Sequence, residues 1–420
     1  LNNFKVKTSF LHMHAGEEKQ IETIVYPSDA TNKDAIYSSD DESVAEVDED
    51  GVVYANNPGN AIITVMSEDK SIFDTCSVTV VEEDQMLKTR LSYDIHDYMK
   101  NSYYNNENAT PTTGNVNIIV IPIFFSNSDQ FITDKERVRE DIRLAYFGTN
   151  EECGWRSVKT FYEEESFGAM KVGGIVGDWY QSNKTWETYG VNDDNETLAL
   201  VNDAYNDFKN KHPELDWNLY DQDNDGFIDA VCTVYAAPSY ENLKKPEYTN
   251  LWSYQAYSTN KAVVGNPVLG TYTFSTYSSL YSSEEVALSH TGKSSYYAGT
   301  VADLYLDPHV YIHEMGHMIG IPDYYDYAGE TKPTGRFGMQ DSNAFSHDPF
   351  STMVFGWVQP YIPTESCEIK LNNFIDSGDC ILLSPGFNSN LSPFDEYLLV
   401  SVFSPTKINQ FDAEHKYYGC

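Results

Sequence analysis

His313-Glu314-Met315-Gly316-His317-Met318-Ile319-Gly320-Ile321-Pro322-Asp323 places three metal-ligand side chains and a carboxylate base in one short stretch. Just upstream, Asp307 suits a helix N-cap and Pro308 the first helical position, where its missing N–H would have lacked a partner anyway. A helix is therefore expected to open at Asp307. Within it His313 and His317 are four residues apart and share a face, so both imidazoles reach one metal ion. Glu314, one residue round the helix, can take a proton from a water at that ion. Gly320 lacks a Cβ and can adopt the left-handed conformation that ends a helix, and Pro322 discourages a restart. The chain then turns back and brings Asp323 in as the third ligand. An open fourth position separates a catalytic zinc from a structural one. The stretch thus predicts a zinc hydrolase of peptide bonds, with His313, His317 and Asp323 on the metal and Glu314 as general base. His309 lies one turn before His313 without a following Glu, and is expected to be a solvated first-turn residue.

Around this helix, strands and helices alternate, which indicates an α/β or α+β catalytic domain. Ile118-Ile119-Val120-Ile121 is a continuous β-branched run, as in a strand buried on both faces. Thr133 with Glu136 reads as a capping box opening a helix with Val138, Ile142 and Ala145 on one side. A second helix is expected to carry Val158, Phe161 and Tyr162 and to end at Gly168. A third carries Leu198, Val201, Tyr205 and Phe208. Beyond Pro360 the pattern is read as strand-rich.

Asp221-Gln222-Asp223-Asn224-Asp225-Gly226-Phe227-Ile228-Asp229 sets carboxylates at alternate positions around a glycine turn. Asp221, Asp223, Asp225, the Phe227 carbonyl and Asp229 are expected to wrap a calcium ion. Cys232 stands where an EF-hand carries its closing Glu, so the loop is EF-hand-like and leads into a strand rather than a second helix. The ion is expected to brace the loop structurally.

The first 82 residues show short alternating runs broken by Asp50-Gly51 and Asn57-Pro58-Gly59, which suggests a small antiparallel sandwich. The Asn-rich stretch from Lys100 to Asn115 reads as a linker. Lys+Arg 27 against Asp+Glu 64 gives a net charge of −37, which argues against nucleic acid or an anionic membrane as partner. No apolar run is long enough to span a bilayer. No charged and apolar leader opens the sequence at Leu1, so a secretion signal is expected to have been removed. The six cysteines lack C-x-x-C spacing; Cys367 and Cys380 either pair across a hairpin or stay as thiols.

Residues 1–82 resemble the bacterial Ig-like group 2 domain through Tyr37-Ser38-Ser39-Asp40, Val44-Ala45-Glu46-Val47, Asp50-Gly51-Val52-Val53, Pro58-Gly59-Asn60-Ala61 and Cys76-Ser77-Val78-Thr79-Val80. That resemblance implies an extracellular spacer or adhesive module. From about Asn115 the chain resembles the immune inhibitor A-like metallopeptidases, which are secreted bacterial zinc enzymes. The likeness is carried by Asn117 to Pro122, Phe161-Tyr162 with Ser166-Phe167-Gly168, the acidic loop, Trp252-Ser253, the zinc motif with Tyr324-Tyr325-Asp326, Gly338-Met339 and Phe355-Gly356-Trp357-Val358. It implies a metzincin-like fold with Met339 in the turn beneath the metal, a protein or peptide substrate, and a secreted or cell-surface location. Tyr254 departs from the family, whose members often carry His there. The chain ends at Cys420 where the family continues with another strand, which implies a chain cut short.

An Asp ligand makes the metal less electrophilic than a third His would, so a neighbouring oxyanion donor is expected, from His347 or Tyr324. Asp326 is expected either to hold a ligand or to cap the turn. The resulting organisation is multidomain: an all-β Ig-like sandwich at 1–82, a linker at 83–114, a metzincin-like zinc peptidase domain at 115–360 and a β-rich subdomain at 361–420. Two other readings stand beside it. A surface adhesin with a vestigial zinc site is disfavoured by the intact Glu314, and a zinc amidase acting on cell-wall peptide would use the same chemistry.

Overall fold

The computed structural model describes residues 3–7, 10–26, 35–67, 72–81, 110–191, 194–293, 304–331, 333–363, 368–384 and 396–415. Most of the expected linker therefore lies outside the described residues, as does Cys367. Cys76, Cys153, Cys232 and Cys380 are buried thiols.

Near the N-terminus, Phe10–His14, Phe73–Val81, Gly59–Ser67 and Ala35–Ser39 form one sheet in that order. Glu18–Gln20, Val52–Ala55 and Ala45–Val47 form a second. Along Gly59–Ser67 the buried positions Ala61, Ile63 and Val65 alternate with more exposed ones, the period-two pattern of a strand with one face on a core. That core also takes Met13, Val53, Ala55, Cys76 and Val78. The expectation of wholly antiparallel pairing needs one correction: Phe10–His14 runs parallel to Phe73–Val81. These strands come from opposite ends of the segment and are not joined by a hairpin, so their relative direction is not set by a tight turn.

The larger core lies around a sheet of β1 (Gly114–Phe124), β2 (Met170–Val176), β3 (Tyr180–Gln181), β4 (Val231–Tyr235), β5 (Tyr254–Tyr257) and β6 (Thr271–Thr276). Its order is β2-β1-β4-β6-β5, and β3 pairs with the far end of β1. All pairs are parallel except β5 with β6, which makes β5 an antiparallel edge. β1 begins at Gly114, and its Ile118–Ile121 run is buried on both faces.

Helix α1 (Lys135–Phe147) is capped by Asp134, whose carboxylate accepts from the Arg137 N–H at 3.0 Å. The expected cap was Thr133; its hydroxyl instead donates to Thr291 O at 3.0 Å, tying the helix entrance to another segment. Helix α2 (Val158–Glu165) opens on a Ser157–Thr160 capping box and buries Val158, Phe161 and Tyr162. Helix α3 (Asp194–Lys211) buries Val201, Ala204, Tyr205 and Phe208 against the sheet side.

Helix α4 (His309–Met318) carries the two motif histidines and is buried nearly all round. It starts two residues after Asp307, yet Asp307 Oδ1 still accepts from the His309 N–H at 3.1 Å. At the other end Gly320, at φ +107°, donates to His317 O at 3.0 Å, and Ile321 N donates to Gly316 O at 3.2 Å. This paired pattern closes a helix on a left-handed residue.

His309 is not solvated. It is buried, with Nδ1 2.7 Å from Asp307 Oδ1, Nε2 3.2 Å from Asp412 Oδ1, and its ring stacked on Trp155 at 4.0 Å. Burial alone would lower its pKa, but Asp412 and Asp307 together raise it to about 9. Asp412 lies on α5 (Ile408–His415). Of the stretch 361–420, read as β-rich, the described part holds two short paired strands, Cys380–Leu383 and Leu398–Ser401, together with two helices, Phe374–Ser377 and α5.

The two cores meet at the turn after α2. Buried Thr75 Oγ1 donates to Ala169 O at 2.9 Å, and Asn60 Nδ2 donates to Ser377 O at 3.2 Å. A Cβ built on Gly168, which sits at φ +81°, would lie 2.7 Å from Ile62 Cδ1.

Candidate active site

Between α4, the β5 edge and the loop after Pro322 lies a cleft of about 900 Å³, lined on its edge by Trp252, Tyr254 and Gln255. At its floor, His313 Nε2 is 2.9 Å from Asp323 Oδ1 and 3.0 Å from His317 Nε2, and His317 Nε2 is 3.2 Å from Asp323 Oδ1. One ligand atom from each residue falls within 4.8 Å of the other two. The four-residue helical spacing accounts for the histidine pair, and the Gly320–Pro322 turn for the aspartate.

The inner nitrogens explain why both rings aim outward. His313 Nδ1 donates to Met339 O at 2.9 Å and His317 Nδ1 donates to Ile321 O at 2.7 Å. Each bond fixes a tautomer that leaves Nε2 with its lone pair toward the cleft. Met339 itself is buried, and its backbone carbonyl is what orients His313.

The electrostatics favour positive charge at the centre of the trio. Burial alone would raise the Asp323 pKa, yet its close contacts with His313, His317 and Tyr327 hold its carboxyl well below the usual range. His317 is pushed up to about 8, with burial opposing and Asp323 and Glu314 favouring its charged form. Two imidazole nitrogens and one carboxylate oxygen, pre-aimed at one point, form a donor set suited to zinc. Glu314 lies beside them, buried, with its pKa raised by burial. Among the described residues its Oε2 has no hydrogen-bond partner.

Two expected oxyanion donors are not in the cleft. His347 is buried beneath α4, with Nδ1 2.7 Å from Glu165 Oε2 and Nε2 3.2 Å from Gln340 Oε1. Tyr324 OH accepts from Ser351 Oγ at 3.0 Å, and its backbone N–H donates to Gln340 O. The neighbouring Tyr325 and Tyr327 line the cleft instead, and the Tyr327 hydroxyl donates to Asp323 Oδ2. Asp326 accepts from the N–H groups of Ala328, Glu330 and Thr331, so it caps the turn. That turn, closed by Gly329 at φ +71°, carries Tyr327 back over Asp323. Asp326 followed by Gly329 was the available sequence signal for it.

In the acidic loop, Asp221, Asp223 and Asp225 bring one carboxylate oxygen each within 4.8 Å of one another. Gly226, at φ +88°, makes the turn and donates to Asp221 at 3.2 Å. Asp229 accepts instead from the Gln222 N–H at 3.0 Å, and Phe227 enters a short parallel pairing with Val268. Burial and Asp223 raise Asp221 to about 6.

The model of the bacterial Ig-like domain (group 2) matches residues 2–80, and that of the immune inhibitor A peptidase M6 catalytic domain matches residues 138–236. The latter match includes the acidic loop and stops short of α4. A kappa-carrageenase of Pseudoalteromonas carrageenovora is 36% identical over 80 residues, 19% of this chain and 20% of that protein. An uncharacterized protein of Clostridium acetobutylicum is 32% identical over 90 residues, 21% of this chain and 23% of that protein. The chain thus spans about a fifth of the length of these relatives.

Among solved structures, the intimin–Tir90 complex aligns at TM-score 0.16 and 16% identity over 26% of this chain and 61% of that one. A bacterial Ig-like domain containing GH10 xylanase from termite gut aligns at TM-score 0.15 and 13% identity over 48% of each chain. Both scores are too low to define a shared fold. Among the described residues no helix is long and apolar enough to cross a membrane. The chain is thus similar to the group 2 bacterial Ig-like domain over residues 2–80 and to the immune inhibitor A peptidase M6 catalytic domain over residues 138–236.

Proposed function

We propose that this chain is a secreted zinc metalloendopeptidase whose ligands are His313, His317 and Asp323. The observation that carries the reading is the convergence of those three ligand atoms beside a buried oxygen of Glu314 that has no hydrogen-bond partner among the described residues. Zinc there would supply Lewis-acid polarisation of a substrate carbonyl and lower the pKa of an adjoining water. Glu314 takes the proton of the attacking water and delivers it to the leaving amine, a task that burial favours by raising its affinity for a proton. Tyr325 and Tyr327, which line the cleft where His347 and Tyr324 do not, are read as the donors to the developing oxyanion. Edge strand β5 offers backbone groups on which an extended peptide can pair. The antiparallel edge and the turn at Met339 support a metzincin-like arrangement.

Residues 1–82 are read as the Ig-like domain, facing an extracellular partner or serving as a spacer. Residues 83–114 are read as the linker, 115–360 as the catalytic domain and 361–420 as a C-terminal extension. Asp221, Asp223 and Asp225 are read as a structural calcium site, with Phe227 O and Asp229 completing it after local rearrangement. Elemental analysis of Glu314→Ala is expected to find one zinc and one calcium per chain with peptide hydrolysis abolished. Asp323→Ala should lose the zinc alone and Asp223→Ala the calcium alone. Hydrolysis by Glu314→Ala near the wild-type rate would overturn the mechanism.

A further inference from the structure

Behind the zinc-type trio runs a line of buried polar side chains that the reaction itself does not use. Glu165, at the end of α2, faces His347 with Oε2 2.7 Å from Nδ1, and its other oxygen accepts from the His347 backbone N–H. His347 Nε2 is 3.2 Å from the side-chain amide of Gln340, and the same amide is 3.2 Å from His317 Nδ1. Glu165, His347 and Gln340 are each no more than 2% exposed, so water does not compete for these contacts.

The direction of the line follows from its last member. His317 Nδ1 sits 2.7 Å from Ile321 O, and a carbonyl cannot donate, so Nδ1 carries the proton. Gln340 must therefore present its oxygen to His317, with the two ends of the amide exchanged at no cost in shape. Its NH₂ group then donates to His347 Nε2, and His347 Nδ1–H donates to Glu165. Every donor now meets an acceptor, and a carboxylate terminates the chain. Gly316 makes room for this line: a Cβ there would lie 2.4 Å from the end of the Gln340 side-chain amide and 3.1 Å from His347 Nε2.

We propose that Glu165, His347 and Gln340 form a positioning relay that fixes the ring of His317 and strengthens its Nε2 as a metal donor. The inference rests on the metallopeptidase reading. Carboxylate-terminated hydrogen bonding to the inner nitrogen of a ligating histidine raises its basicity and holds its orientation. It also gives two segments distant in sequence, α2 and the Gln340–His347 stretch, a defined duty toward the cleft.

The test measures Zn²⁺ affinity of the full chain by competition with a chromogenic chelator, together with the absorption bands of the Co²⁺-substituted protein. Gln340→Met and the conservative Glu165→Gln are each expected to weaken Zn²⁺ binding by roughly ten- to a hundredfold and to shift the Co²⁺ bands. The double variant should lose no more than the weaker single, because both cut one chain of contacts. Circular dichroism identifies the variants that are folded. Folded variants with wild-type affinity and spectrum, or losses that simply add, overturn the relay. A wild type that binds no Zn²⁺ brings down the metallopeptidase reading itself, whereas a binding wild type matched by its variants brings down the relay alone.

Discussion

At the scale of the residue, Gly316 reverses an ordinary expectation. Replacing a helix-interior glycine by alanine normally stabilises by up to about 1 kcal/mol. In α4 the added methyl would meet the Gln340 side chain at 2.4 Å, and its neighbours are fully packed. Gly316→Ala is therefore expected to cost about 1–3 kcal/mol, as overpacking in a dense core does. Chemical denaturation should show a lower midpoint at unchanged slope; a raised midpoint would remove the relay from beneath the helix. The same residues show what a sequence can reveal at this scale. His313, Glu314 and His317 were legible because helical periodicity alone sets their relation. Asp323 was legible only as far as Gly320 and Pro322 announce a turn. His347 and Tyr324 were misplaced because proximity in sequence to the motif says nothing of which side of α4 a side chain enters. Gln340 gave no signal at all, since its partners arrive from α4 and from the His347 loop.

At the scale of the element, α4 is held at its N-terminal end by charge as well as by its apolar face. His309 is buried between Asp307 and Asp412, which raise its pKa to about 9 against the desolvation that opposes them. The unfolded value is about 6.5. A group raised in the folded state contributes stability that is fully present below the unfolded pKa and is lost as pH rises through the folded one. The contribution is on the order of 1–3 kcal/mol, since one pKa unit is about 1.4 kcal/mol. Urea midpoints of the wild type should therefore fall between about pH 7 and 10. Asp412→Asn, whose amide oxygen can still accept from the Phe345 N–H that Asp412 binds at 2.6 Å, should be less stable at neutral pH and flatter across that range. Equal slopes in the two proteins would show that His309 is not the titrating group. The ends of α4 were readable to within two residues, because Asp307, Gly320 and Pro322 act locally. The burial of His309 was not, because it depends on α5, 103 residues along the chain, where no periodic pattern points back. The C-terminal stretch was read as strand-rich from two apolar runs, while the helices before and after them carry weaker patterns.

At the scale of the molecule, the Ig-like and catalytic cores are joined rather than strung apart. Ala169 O accepts from Gly114 N at 2.8 Å and from Thr75 Oγ1 at 2.9 Å, so one carbonyl ties the start of β1 to the last strand of the sandwich. Beside it Ile62 presses on Gly168, a residue whose positive φ and missing Cβ both admit the contact. Ile62 faces away from the buried Ala61 and Ile63 of its own strand, and in sequence a docking face looks like a solvent face. Two domains so joined should unfold together, since exposing one removes contacts from the other. Calorimetry of the wild type is expected to give one cooperative transition. Ile62→Asp places a carboxylate against Gly168 in a chain of net charge −37, with Asp40 also lining the interface. The desolvated charge and its repulsion should split that transition in two, the Ig-like part melting first while the hydrolytic site is still formed. Thr75→Val is a gentler probe: its loss of about 0.5–1 kcal/mol is limited because Gly114 still satisfies the carbonyl. Two separate transitions already in the wild type would mean the domains are independent, and a single transition surviving in Ile62→Asp would place their coupling elsewhere along the interface.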